Sequence, residues 1–252
     1  MLVDQRRQKV LELIKERGFV ALGDLAGALD CSESTIRRDL DHWDEQGLIK
    51  RTHGGAMYTG ERLEMPTLDE RSTTALPEKR RIAQAAATRI LDGSAILLDG
   101  GTTTMEIARL LTNRSLQVVT NSLPIASLLS GCRSIDLILL GGYIYPKTGV
   151  AMGPLTIAQL ERVHVQQAFV GVSGITPKGL FNSNLLLVET ERAMIRSAET
   201  LVVVADCTKL ERSALAPLCG LEEVDTLITD GDLTRDQQRW LEAAGMKVVV
   251  AE

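Results

Sequence analysis

The chain has 252 residues, 44% hydrophobic and 24% charged, with 21 Gly, 7 Pro and 4 Cys. That supplies a real core over one or two domains and excludes a disordered chain, a collagen-like fibre and a disulfide mini-protein. Net charge is −5, and residues 1–60 hold 9 Lys+Arg against 10 Asp+Glu, so contact with nucleic acid must rest on local clusters, not bulk charge.

Cys31, Cys132, Cys207 and Cys219 show no CxxC and no paired spacing, and read as reduced thiols. No apolar run approaches the roughly 18 residues that span a bilayer. The charged start runs straight into a helical pattern, without the apolar stretch of a signal peptide. A cytoplasmic protein with no membrane partner is expected. Aromatics at 3% argue against stacking platforms for single-stranded nucleic acid.

Residues 5–17 place Val10, Leu11, Leu13 and Ile14 near helical spacing, and Gly18 ends the run. Residues 21–29 repeat the pattern with Leu22, Leu25, Ala26 and Leu29. After the break at Asp30-Cys31, Ser32 is the expected N-cap of a third helix, with Ile36, Leu40 and Trp43 on one face. Leu48 to Ala56, with Gly54-Gly55, fits a small β-hairpin or wing.

Three short helices and a basic wing predict a winged helix-turn-helix. With Ile36, Leu40 and Trp43 in the core, Ser34, Thr35, Arg37 and Arg38 face outward near the helix N-terminus, the end that enters a major groove in this motif. Arginine pairs bidentately with guanine, and hydroxyls reach phosphates or base edges. Lys50, Arg51 and His53 on the wing are candidates for the backbone alongside. Asp39 either orients an arginine or is plain surface charge. His53 has no second ligand near it, so no metal is indicated.

Ser32-Glu33-Ser34-Thr35-Ile36-Arg37-Arg38-Asp39-Leu40, followed by Arg51-Thr52-His53-Gly54-Gly55-Ala56, resembles the DeoR family of bacterial transcriptional repressors. The family's helix-turn-helix falls on about residues 20–39.

Residues 58–76 read as a linker between a DNA-binding domain at 1–57 and a second domain at 77–252, with room for a short helix near Leu68-Asp69-Glu70-Arg71. From a helix at about 78–91 onward, short apolar runs alternate with helical segments: 95–98, 116–119, 137–140, 168–170, 201–205, 226–228 and 247–250. Such runs suit strands covered on both faces, which predicts a doubly wound α/β domain.

Asp99-Gly100-Gly101-Thr102-Thr103-Thr104 follows one strand and precedes the helical stretch Met105–Leu111. Strand, Gly-rich turn and helix build an anion site from backbone N–H groups, hydroxyls and the helix dipole. The run is neither GxGxxG nor Walker-like, so no nucleotide cofactor is indicated. Other candidates fall at strand ends: Asn121 and Ser122; Gly141 and Gly142; Ser173; and Asp206 with Lys209. Glu189, read as opening a helical segment, is a candidate for sugar hydroxyls.

This half is similar to the DeoR effector domain, whose fold resembles ribose-5-phosphate isomerase. The resemblance implies a phosphorylated sugar effector contacting Asp99, Gly101, Thr102, Thr103, Asn121, Ser122, Gly141, Gly142, Ser173, Glu189, Asp206 and Lys209. One departure is visible. The family's Asp-x-Ser-Lys-Phe-Gly reads here Asp206-Cys207-Thr208-Lys209-Leu210-Glu211. The expected protein is a non-enzymatic repressor of a carbohydrate operon, a homodimer or homotetramer on double-stranded operator DNA. The alternative is a sugar-phosphate isomerase or deaminase with a DNA-binding appendage. Against it, Ser173-Gly174-Ile175 stands where the related isomerases place acidic residues.

Overall fold

Helix α1 (Val3–Arg17), strand β1 (Phe19–Ala21), helices α2 (Leu22–Ala28) and α3 (Glu33–Glu45), and strands β2 (Ile49–Thr52) and β3 (Gly55–Tyr58) make up the first part of the chain. The structure, a computed structural model, describes residues 3–17, 19–45, 48–52, 54–58, 68–231 and 233–252. It divides into two units, Met1–Met65 and Pro66–Glu252.

The first unit is built around Val10, Leu11, Ile14, Val20, Leu25, Ile36, Leu40, Ile49 and Ala56. Trp43 packs on this core, and its indole N–H donates to the Arg7 carbonyl at 2.8 Å. The α2–α3 turn is a Schellman motif: Cys31 N–H bonds the Ala26 carbonyl at 3.0 Å while Asp30 takes φ +49°. Aspartate is among the few non-glycine residues that tolerate this left-handed region. The three strands run in the order β1-β3-β2, antiparallel. Gly55 is required there, because a Cβ would lie 2.2 Å from the Val20 carbonyl oxygen.

The second unit opens with α4 (Leu68–Thr73) and α5 (Leu76–Ala87). Residues 68–76, read from sequence as linker, therefore belong to this unit. Then follow β4 (Ala95–Leu98), α6 (Thr102–Leu111), β5 (Leu116–Thr120), α7 (Leu123–Leu129), β6 (Ile135–Leu139), β7 (Tyr143–Tyr145), β8 (Val150–Met152) and α8 (Pro154–Leu160). The chain continues through β9 (Val165–Val170), β10 (Gly174–Thr176), β11 (Gly179–Asn182), α9 (Leu185–Arg196), β12 (Ala198–Val204), β13 (Ala216–Pro217), β14 (Thr226–Asp230), α10 (Arg235–Ala243) and β15 (Lys247–Ala251).

Seven strands form one parallel sheet in the order β15-β14-β12-β9-β4-β5-β6. Every predicted run falls on a strand of it, those at 137–140 and 201–205 extending one residue past the strand end. Period-two alternation sends Ile96, Leu98, Val118, Phe169, Val202 and Val204 to the layer holding Ile82 of α5, Ile107 of α6 and Ile125 of α7. Leu97, Val119, Ala168, Val170, Leu201 and Val203 face Leu160, Val188, Met194 and Leu241 on the other side. The sheet is thus covered on both faces, the doubly wound arrangement. From β4 the chain winds outward through β5 and β6, then returns to place β9 on the other side of β4. The β4–β9 gap is the topological switch point, where ligands bind in open α/β sheets.

Two small antiparallel additions shape that edge: the hairpin β7–β8, and the three-stranded β10-β11-β13. Neither was expected from the sequence, because their strands are too short to show a period.

Candidate functional site

In the first unit, Ser34, Arg37 and Arg38 are exposed on α3, and Thr35 is half-buried. Ser32 Oγ lies 2.9 Å from both the Ser34 and Thr35 hydroxyls, a cluster of hydroxyls at the helix start. Arg37 reaches Glu33 at 3.5 Å, a solvated pair of little energetic weight. Arg38 makes no ion pair with other described residues. Arg51 of β2 pairs with Asp41 of α3, so wing and helix are tied. The side chain of Lys50 and the whole of His53 lie outside the described residues. Asp39 is buried: it accepts from Arg6 Nε at 2.6 Å, from Arg6 Nη2 at 3.1 Å and from Arg7 Nε at 3.4 Å. It orients arginines of α1, which settles the two roles left open for it.

In the second unit a cavity of about 280 Å³ opens over the C-terminal ends of β4, β9 and β12. Its wall includes Gly101–Thr104, Gly171, Val172, Val204–Asp206 and Lys209, with Glu70, Arg71, Thr74, Lys79 and Arg212. It therefore sits on the switch point. Helix α6 starts at Thr102, three residues earlier than its sequence pattern, because Gly101 is the N-cap. Gly101 N–H donates to Thr104 Oγ1 at 2.9 Å, and that hydroxyl donates back to the Gly101 carbonyl at 3.0 Å. Thr104 is thereby spent on the turn. Thr102 and Thr103 make no side-chain hydrogen bond among the described residues, and with the free N–H groups of the first helical turn they face an anion-ready space.

Asp206 accepts from the Thr208 N–H at 3.2 Å and also from the Thr208 hydroxyl, and it stands 4.0 Å from Lys209 Nζ. The departure from the family pattern has a visible consequence here: Glu211 adopts φ +60°, a conformation that favours glycine. Lys79 Nζ donates to the Arg71 and Thr74 carbonyls, both at 2.5 Å. Burial holds Lys79 and Lys209 below the usual ammonium range; Asp206 opposes this, and nearby cations, Arg71 among them, add to it.

Beneath the cavity lies a buried polar cluster. Asp99 accepts N–H bonds from Gly100 and Gly171, yet burial still pushes it up to about 6. Glu191 of α9 accepts from Asn182 Nδ2 at 2.7 Å, and Asn182 accepts from the Ser173 hydroxyl. Burial, and then the charge of Asp99, raise Glu191 well above the carboxylate range. Asp99 Oδ1, Glu191 Oε2 and Arg71 Nη1 are each buried without a hydrogen-bond partner among the described residues.

Of the sequence-selected effector residues, Gly101, Thr102, Thr103, Thr104, Asp206 and Lys209 line the cavity. Asp99 and Ser173 lie in the cluster below. Gly100 packs against Val150, 2.0 Å from where its Cβ would sit. Asn121 donates to the Ala151 carbonyl at 3.1 Å, and Ser122 caps α7 by accepting the Ile125 N–H at 3.3 Å. The Gly141 carbonyl accepts from Thr156 and Gln159, while Gly142 is pressed against Thr156. These five are not part of the cavity wall, because the β7–β8 hairpin and α8 cover their end of the sheet. Glu189 lies inside α9 rather than at its start, is exposed, and pairs with Arg192 at 2.8 Å. Arg71, Thr74, Lys79 and Arg212 were not found from sequence; no local motif marks them.

Among the described residues no helix is long and apolar enough to cross a membrane, and no cluster of metal-ligating side chains is present.

Residues 6–62 match the DeoR-like helix-turn-helix domain, and residues 74–231 match the DeoR C terminal sensor domain. The chain is 35% identical to the glycerol-3-phosphate regulon repressor of Escherichia coli, over 90% of each chain. It is 33% identical to the HTH-type transcriptional regulator GlpR of Haloferax volcanii, over 99% of this chain and 98% of that protein. Among solved structures, ribose 5-phosphate isomerase A from Methanocaldococcus jannaschii aligns at TM-score 0.41 and 20% identity, covering 54% of this chain and 55% of that one.

Proposed function

The chain belongs to the DeoR family, and from that premise we propose that it is a repressor of a carbohydrate operon whose hold on operator DNA is set by a phosphorylated sugar. The carrying observation is the cavity at the β4–β9 switch point, where the start of α6, Thr102, Thr103 and Lys209 meet. DNA is read by Arg37, Arg38 and the hydroxyls at the start of α3, with Arg51 of the wing on the backbone. Arg71 of α4 and Thr74 just after it follow closely on the boundary at Met65, so a ligand in the cavity touches the segment that leads to the reading head. The effector acts by binding one arrangement of the protein better than the other.

The regulator reading is favoured over the isomerase reading by where the carboxyls are. Asp99 and Glu191 are sealed beneath the cavity, Asp206 is occupied by Thr208, and Glu70 on the wall is exposed, so among the described residues no unengaged, enclosed carboxylate is set up as a base for a sugar carbon. Self-association is favoured by exposed Leu155, Leu185 and Leu186, which lie on α8 and α9 beside the β7–β8 hairpin. The protein works as a homodimer or homotetramer in the cytoplasm, matched to paired half-sites.

The test is a thermal-shift screen with sugar phosphates on the full chain, since a ligand of the folded state raises apparent stability by mass action. Hits are then carried into DNA-binding titrations. Replacing Thr102 and Thr103 with Val is expected to erase the shift; an undiminished shift would move the phosphate site elsewhere.

A further inference from the structure

Four cationic side chains, Arg71, Lys79, Lys209 and Arg212, line the cavity against two carboxylates, Glu70 and Asp206. Their obligations differ. Lys79 is spent on two backbone carbonyls, and Lys209 has Asp206 beside it. Among the described residues Arg71 Nη1 is buried with no hydrogen-bond partner, although the orphaned oxygens of Asp99 and Glu191 lie within its electrostatic reach. Arg212 makes no ion pair among the described residues. Arg71 and Arg212 both bear electrostatically on Lys209, so the cations share one neighbourhood and repel each other there. A single phosphate at the start of α6 would be held by N–H groups, Thr102, Thr103 and Lys209. That leaves two guanidiniums, the fork-shaped donors best suited to a second phosphate or carboxylate.

Resting on the proposed effector site, we infer that Arg71 and Arg212 form a second anion subsite, and that the effector carries two anionic groups: a bisphosphate, or a phosphate and a carboxylate on one small carbon chain. The second group then engages α4 directly through Arg71. A ligand with a second anionic group relieves the repulsion among the cations at that end of the cavity, which a neutral sugar tail cannot do.

The probes are linear diol bisphosphates of three to six carbons and the matching monophosphates, which remove sugar stereochemistry from the question. Affinities are measured by calorimetry on the full chain at fixed salt. At least one bisphosphate is expected to bind tenfold or more tightly than its monophosphate. Arg212→Gln is expected to bring that ratio below threefold by weakening the bisphosphate far more than the monophosphate, and Arg212→Lys to restore part of it. Arg212 is exposed, so these variants keep the fold, which circular dichroism verifies. Ratios below threefold at every length, or a ratio untouched by Arg212→Gln, overturn the second subsite. Failure of the underlying site looks different: neither series binds, or Thr102→Val with Thr103→Val leaves both unchanged.

Discussion

Asp39 on α3 grips Arg6 on α1 through two hydrogen bonds, Nε to Oδ2 at 2.6 Å and Nη2 to Oδ1 at 3.1 Å. The carboxylate is buried while Arg6 keeps a small exposed edge. Asp39→Ala leaves a largely buried guanidinium without its partner, so the first unit is expected to lose about 2–3 kcal/mol. Calorimetric unfolding of the full chain reads this as an earlier transition. Asp39→Asn, which keeps one acceptor, costs less. If both variants unfold with the wild type, the pair does not hold α3 in place.

Arg37→Gln and Arg38→Gln bear on DNA alone. Each base-reading arginine is worth about 1–3 kcal/mol of discrimination. The double variant is expected to lose binding to the duplex that the wild type selects from a random pool, with its effector affinity unchanged. Retention of DNA affinity within twofold at matched salt removes α3 from the interface.

Glu191→Gln tests the buried cluster. The folded-state pKa of Glu191 is raised, so the folded chain holds a proton that the unfolded chain releases. Stability from this group is complete below the ordinary glutamate pKa and declines as pH rises through the window above it. Glutamine mimics the protonated form. Urea midpoints of variant and wild type are expected to agree near pH 5, with the variant higher at pH 8. Asp99, pushed up to about 6, keeps a slope of the same sign below that pH in both proteins. Parallel profiles across the whole range would show that Glu191 is ionised in the folded state.

Glu211→Gly concerns backbone strain. Glu211 sits at φ +60°, which costs a side-chain-bearing residue roughly 1–2 kcal/mol that glycine does not pay. Glycine's greater freedom when unfolded returns part of this, so a net gain of about 0.5–1 kcal/mol is expected. Thermal unfolding reads that as a rise of about 1–4 °C. A lowered midpoint would show that the Glu211 side chain earns its place in the Asp206–Arg212 loop.

Much of this protein is written locally. Helical spacing places Ile36, Leu40 and Trp43 on the inner face of α3, which forces Arg37 and Arg38 outward, and the unbroken apolar runs mark the seven strands of a sheet buried on both sides. Gly101 and the threonines after it announce a capped helix start, because turn chemistry depends on adjacent residues alone. The sequence also shows Glu211 as a departure from the pattern it otherwise resembles, although only the backbone angle shows what that costs.

The composition of the cavity was decided in three dimensions. Strand order sets β4 beside β9 and β9 beside β12, so Gly171 and Asp206 join the turn after Leu98, whereas the β7–β8 hairpin covers the neighbouring strand ends and holds Asn121, Ser122, Gly141 and Gly142 away from the cavity wall. Arg71 and Lys79 come from a stretch with no motif, and Glu191 sits two residues beyond the glutamate that the pattern favoured. Periodicity reports which face of an element is buried. It says nothing of which distant elements meet, and a charge network exists only where they do.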